Sequence, residues 1–167
     1  MTLNQDGVRI VAATQHDVAD LHRLVRALAE YERLTALCTS TEADLREALF
    51  GAHPVAEALI ARLDANSQIC IGFALFFHTY STFLGRRTLW LEDLFVEPAY
   101  RGRGAGKALL GALARMARDR GCGRFEWAVL DWNRPAIRFY EGLGAAVLPD
   151  WRIARVTGEA LARLAKR

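Results

Sequence analysis

The chain has 167 residues, 52% of them hydrophobic and 25% charged, with a mean hydropathy of +0.05. That length predicts one domain over residues 1–167 with a sizeable core, and the composition excludes whole-chain disorder, collagen and coiled coil. The net charge is +3, from 22 basic against 19 acidic residues, and apart from Lys107 and Lys166 the basic residues are arginine. Such a chain first suggests a phosphate-bearing partner.

Residues 1–8 carry Asp6 and no apolar core, so no signal peptide is expected. Residues 8–12 read as a first strand. Thr14 is placed to cap the next helix with Asp17 in its first turn, and Val18, Leu21, Leu24, Val25, Leu28 and Tyr31 form its apolar stripe. A second helix is expected from about Glu42 to Phe50. Residues 58–63 and 68–80 flank Asp64-Ala65-Asn66-Ser67, a turn-forming stretch, and read as an antiparallel hairpin. Gly85 marks the next turn, and residues 88–96 make a fourth strand ended by Pro98.

The second half changes period. Residues 107–120 carry a helical stripe closed by Gly121. A strand over 124–130 and a helix over 135–143, with proline at an early position, come next. Residues 145–148 and 152–156 read as two final strands, and Thr157 is placed to cap a short terminal helix. The sum is an α/β domain whose mixed sheet is mostly hairpins, with one strand–helix–strand crossover over 89–130. The longest apolar run, 69–77, is too short to span a bilayer. Cys38, Cys70 and Cys122 show no CxxC and no histidine at zinc-finger spacing, so no metal site is expected and a reducing, cytoplasmic compartment fits.

The charge is unevenly spread. Residues 1–100 hold 8 basic and 13 acidic side chains, residues 101–138 hold 9 and 3, and residues 139–167 hold 5 and 3. One short stretch therefore makes the chain basic. Its first part is Arg101-Gly102-Arg103-Gly104-Ala105-Gly106-Lys107, which leaves a strand and opens a helix. Helix N-termini offer unpaired N–H groups and a positive dipole end, and glycine lets backbone approach an anion closely. Composition alone leaves phosphate binding and a solvated connection both open. A Walker A loop fails because Ala108 follows Gly106-Lys107, and a GxGxxG loop fails because Lys107 takes the last position.

What remains, Arg-x-x-Gly-x-Gly, resembles the acetyl-CoA signature of the GNAT N-acetyltransferase superfamily. The segment Asn133-Arg134-Pro135-Ala136-Ile137-Arg138-Phe139-Tyr140-Glu141-Gly142-Leu143-Gly144 resembles its second element, Asn-x-x-Ala-x-x-x-Tyr-x-x-x-Gly. Further blocks are similar to the diamine and thialysine acetyltransferases. These include Leu28-Ala29-Glu30-Tyr31-Glu32, Gly72-Phe73-Ala74-Leu75 and Leu91-Glu92-Asp93-Leu94-Phe95-Val96. Val129-Leu130-Asp131-Trp132-Asn133 is nearer the thialysine-type branch. The blocks run from about residue 8 to residue 160.

The resemblance implies a GNAT-type acyl-CoA N-acyltransferase fold, with a central, mixed, mostly antiparallel twisted sheet flanked by helices. It also implies acetyl-CoA as co-substrate and a small-molecule amine as acceptor, held in a homodimer without nucleic-acid or membrane partners. By residue, it assigns coenzyme binding to Leu94, Phe95 and Val96, to Arg101, Gly102, Arg103, Gly104, Ala105, Gly106 and Lys107, and to Asn133, Pro135 and Ala136. A backbone N–H near Phe95 or Val96 would polarise the acetyl carbonyl. Tyr31, Glu32, Glu92 and Asp93 would bind the amine. Glu92 would also help deprotonate it, and Tyr140 would act as general acid, a phenol of pKa about 10 matching a thiolate leaving group. Without the resemblance, Glu92 reads as the end of a strand face and Tyr140 as a core residue. Trp132 and Trp151 are open between packing on the acceptor and lying in the core. Another amine class (aminoglycoside or peptide N-terminus) and a non-catalytic coenzyme A-binding regulator are the alternatives. A nucleic-acid binder would instead spread its basic residues over one exposed face.

Overall fold

The computed structural model describes residues 2–3, 7–63 and 69–166, the first pair in backbone only. The turn expected at 64–67 lies outside the described residues. Contacts divide the chain into two compact units, Met1–Ala128 and Val129–Arg167.

The first unit is built on a six-stranded sheet in sequence order: β1 Thr2–Leu3, β2 Val8–Ala12, β3 Glu57–Leu63, β4 Cys70–Ser81, β5 Arg86–Val96 and β6 Arg124–Trp127. β1 to β5 run antiparallel to their neighbours, and β6 is parallel to β5. That parallel step needs a crossover, supplied by α3 Ala105–Asp119. α1 Val18–Tyr31 and α2 Glu42–Phe50 lie between β2 and β3 in the chain. Their apolar stripes (Val18, Leu21 and Leu24, then Leu45 and Leu49) join Ile60, Phe73 and Phe95 of the sheet in one buried cluster. Leu59, Phe76, Leu89 and Leu91 occupy alternate strand positions and are buried with Leu109 and Leu113 of α3. The sheet is thus covered on both faces, in keeping with the flanking helices that the family resemblance implies.

Thr14 stands ahead of α1 as expected, as the N-cap of a single 3-10 turn, Gln15–Asp17, that leads into the helix. It forms a capping box with Asp17, whose carboxylate accepts from the Thr14 N–H (2.7 Å) and hydroxyl (2.8 Å). Asp17 also takes the Arg62 guanidinium of β3 in an ion pair, and the two residues are only 4% and 9% exposed. One buried carboxylate therefore fixes both the turn entering α1 and its attachment to the sheet.

The second unit carries α4 Arg134–Glu141 and α5 Gly158–Leu164. The final strands expected at 145–148 and 152–156 do not form, and the strand expected to reach residue 130 stops at Trp127. Apolar and β-branched residues measure only fitness for a pleated surface, and a strand exists only where a neighbour supplies its hydrogen bonds. Thr157 does stand before α5, but its side chain makes no capping bond.

Replacing Arg62 by Met leaves the Asp17 carboxylate buried without its counter-charge, which costs about 3 kcal/mol. Thermal unfolding is expected to fall by roughly 6–12 °C for a chain of this size. An unchanged melting temperature would show that the pair does not hold α1 to β3.

Candidate active site

β5 carries an irregularity that decides the site. Leu75 of β4 pairs with Asp93, yet the next residue, Phe76, pairs with Leu91, so Glu92 is an extra residue on β5. Such a bulge breaks the two-residue alternation. Trp90 pairs with Phe77 and Asp93 with Leu75, two β4 positions on one face, although Trp90 and Asp93 are an odd number of residues apart. The bulge thereby brings Trp90 and Asp93 to the face covered by α1. There the Trp90 indole Nε1–H donates to Glu92 Oε2 at 2.9 Å. Trp90 was not singled out from the sequence, and its two-residue spacing from Glu92 was the available signal.

The three acids expected to bind the amine come together here. Glu32 caps the C-terminal end of α1, and its burial raises its carboxyl above the ordinary range. Asp93 is half-buried; that burial, reinforced by the charges of Glu92 and Glu32, pushes its carboxyl up from 3.8 to about 6. Glu92 itself is exposed. Tyr31, the last residue of α1, packs its ring 6.5 Å from that of Phe95.

The backbone beyond the bulge is equally specific. β5 pairs with β6 only from Thr88–Arg124 to Leu91–Trp127, while its pairing with β4 continues to Val96. Among the described residues, β5 has no strand partner on its β6 side from Glu92 to Val96. Leu94, Phe95 and Val96 lie on this unpaired stretch. Gly72 of β4 allows this end of β5 to lie close, since a Cβ there would meet the Phe95 carbonyl oxygen at 2.6 Å.

The chain then turns through Pro98–Tyr100 and enters α3 with Gly102 and Gly104 at φ +80° and +75°, a left-handed conformation that glycine adopts without strain. The first intrahelical bond is from Ala108 N–H to the Gly104 carbonyl, so the amides of Ala105, Gly106 and Lys107 precede the ladder. A Cβ at Gly102 would meet open space. Converging amides, a helix N-terminus and open space beside the loop suit a pyrophosphate. Arg103 and Lys107 are exposed beside them. Arg101 is turned elsewhere: its Nε donates to the Val96 carbonyl at 2.9 Å and its guanidinium stacks over Tyr31. Glu97, just before the loop, receives Arg23 of α1 at 2.6 Å, and the same guanidinium donates to the Cys70 carbonyl. Arg23, too, was missed from the sequence.

The remaining expected residues belong to the second unit. Asn133 is buried and caps α4, its Oδ1 accepting from the Ala136 N–H at 3.4 Å, with Pro135 in the first turn. Tyr140 is half-buried on α4, its ring 5.5 Å from that of Phe139. Trp132 and Trp151 are exposed, so neither is a core residue. All three cysteines are unbonded; Cys70 is buried, which pushes its thiol up to about 12 and makes it unsuited to nucleophilic work.

Residues 20–145 match the profile of the Acetyltransferase (GNAT) family. The chain belongs to this family. As a GNAT protein it is an acetyl-CoA-dependent N-acetyltransferase, with the mixed sheet and flanking helices of that fold. It is 34% identical to the L-ornithine N5-acetyltransferase of Arabidopsis thaliana, over 95% of this chain and 88% of that protein. Its identity to the thialysine N-epsilon-acetyltransferase of Sus scrofa is 39%, over 95% and 97% of the two chains. Among solved structures, an integron cassette protein from the mobile metagenome of V. cholerae superposes with a TM-score of 0.79 at 27% identity, over 96% of this chain and 99% of the other.

The electrostatics of Asp93 give a stability prediction. Its carboxyl is harder to ionise folded than unfolded, so a penalty grows as pH rises from about 4 to about 6 and is complete above that. Asp93→Asn is expected to stabilise the protein by roughly 1–3 kcal/mol at pH 8 and by little at pH 4. Equal effects at both pH values in thermal melts would contradict the assignment.

Proposed function

We propose that this GNAT enzyme transfers the acetyl group of acetyl-CoA directly to a primary amine of a small cationic molecule. A diamine, or an amino acid with a lysine-like side chain, fits best. The observation that carries this reading is the convergence of Glu32, Glu92 and Asp93 at the bulge, on the strand that runs into the coenzyme loop. A carboxylate cluster attracts an ammonium, and relatives named for ornithine and thialysine acetylation support an acceptor of that kind. The profile match also crosses the division between the two units, which supports a single catalytic domain.

Bound acetyl-CoA supplies an activated thioester carbonyl. The loop amides from Gly102 to Lys107 hold its pyrophosphate, with Arg103 and Lys107 as charges, and Asn133, Pro135 and Ala136 also bind the coenzyme. An N–H of the free β5 edge, at Phe95 or Val96, donates to the carbonyl oxygen as negative charge develops there. Glu92, steadied by Trp90, receives the acceptor's ammonium together with Glu32 and Tyr31. An ammonium has no lone pair, so its proton must leave first. Glu92 accepts it through water, and Asp93, with its raised carboxyl, supplies a second acceptor near neutral pH. The nitrogen–carbon bond then forms, the carbon–sulfur bond breaks, and Tyr140 gives the leaving sulfur its proton.

The enzyme works as a homodimer in this reading. Leu148, Trp151, Ile153 and Val156 are exposed in the second unit, an apolar run that suits association. Unbonded cysteines fit a cytoplasmic setting, and no described helix is long and apolar enough to cross a membrane.

Thiol release from acetyl-CoA should be seen with ornithine, thialysine or a diamine, and be weak with an aminoglycoside or a peptide N-terminus. No turnover with any amine despite acetyl-CoA binding would sink the proposal. Tyr140→Phe should lower kcat by about 10²-fold or more, whereas an unchanged rate at every pH removes Tyr140 as the acid. Glu92→Gln should raise the amine KM and spare acetyl-CoA binding. kcat/KM for the amine should rise with pH through about 6 as Asp93 ionises, and Asp93→Asn should abolish that limb. Light scattering should give twice the chain mass.

A further inference from the structure

Arg101 stands at the first position of the coenzyme signature, where sequence reading makes it a phosphate ligand. Its side chain is used differently. The Nε–H is bonded to the Val96 carbonyl at 2.9 Å, at the end of β5. The face of the guanidinium lies 4.8 Å from the Tyr31 ring centroid and 5.7 Å from that of Phe95. One side chain thus joins the start of the coenzyme loop, the last turn of α1 and the free end of β5. A guanidinium suits this junction because it can donate from an edge while stacking its face on aromatic rings.

We propose that Arg101 is a positioning residue for the acceptor amine and that its side chain is not a coenzyme-phosphate ligand. The proposal deepens the acetyltransferase reading above and rests on it for the identity of the acceptor. Arg101 holds the ring of Tyr31 against Phe95, and the next residue after Tyr31 is Glu32, whose charge acts on Asp93. Loss of the guanidinium frees the end of α1 and misplaces the carboxylate on which the amine docks. The backbone amides of the loop, which carry the pyrophosphate, are unaffected.

The test separates the two ligands. Acetyl-CoA affinity is measured by calorimetry, and kinetics are measured with whichever of ornithine, thialysine or 1,3-diaminopropane the wild-type enzyme acetylates best. Arg101→Ala is expected to raise the amine KM about tenfold or more, the loss falling on KM more than on kcat, with acetyl-CoA Kd within about threefold of wild type. Arg101→Lys should recover part of the amine KM, since an ammonium still stacks on Tyr31 but lacks the second edge. Tyr31→Leu should reproduce the amine defect, and adding Arg101→Ala to it should cost little more, the mark of one shared interaction. A tenfold loss of acetyl-CoA affinity with the amine KM unchanged would make Arg101 a phosphate ligand and overturn the proposal. Fully multiplicative defects in the double variant would overturn it too. If the wild-type enzyme acetylates none of the amines, the proposed acceptor class fails, and the acetyl-CoA arm still decides whether Arg101 grips phosphate.

Discussion

The single insertion of Glu92 into β5 is the constraint from which the site follows. In an unbroken strand Trp90 and Asp93 would face opposite sides of the sheet, and the acids would be divided between the layer under α1 and the layer under α3. The bulge costs one position of ladder pairing and increases the local twist. It falls one residue past Leu91, where β5 and β6 stop pairing. The strand that turns Asp93 toward α1 thus also leaves a backbone edge beyond its pairing with β6. The proposed reaction draws on both, with carbonyl-oxygen donors and proton acceptors within five consecutive residues.

Charge is arranged more finely than the net value suggests. Of the basic residues in 101–138, Arg118, Arg120 and Arg124 pair with Asp119, Glu57 and Glu126 and are structural. Arg101 is stacked on aromatic rings. Arg103, whose guanidinium lies 6.0 Å from the Tyr100 ring centroid, and Lys107 stand exposed at the loop, beside amides that precede the ladder of α3. On the acidic side, like charges are crowded where burial already disfavours them, and Asp93 bears the result. A carboxyl that is costly to ionise in the resting enzyme is the one that gains most from an arriving cation.

The fold was largely legible from the sequence because its elements depend on local pattern. α2 begins and ends where the spacing of Leu45 and Leu49 and the following Gly51 place it, and β5 and α3 are misjudged by only two residues at their starts. The tail was misread for a physical reason. Residues 145–148 and 152–156 carry the strand formers Val147, Ile153 and Val156, but such residues carry no information about which backbone stands alongside. The loop was legible as a turn into a helix through its glycines, two of which do take left-handed conformations. The convergence of Glu32 with Asp93 was not derivable from spacing, since it depends on a register shift and on where a helix ends in space; only the family resemblance pointed to it. Arg101 shows the opposite limit, for a motif position names a residue without saying where its side chain goes.

α1 connects these parts, and it is fastened along its length. Its entry is held by the buried Asp17–Arg62 pair, its middle by Arg23 bridging Glu97 and the Cys70 carbonyl, and its end by Tyr31 against Phe95 and Arg101. A helix of 14 residues rises about 21 Å, so these attachments span the layer from β3 to the end of β5. Two of the three reach the segment that leads into the coenzyme loop, at Glu97 and Arg101. The carboxylate at the tip of α1 is therefore set by the same contacts that set the entrance to the loop. A displacement of that entrance therefore acts on the end of α1 through Arg101 and Tyr31, and on its middle through Glu97 and Arg23.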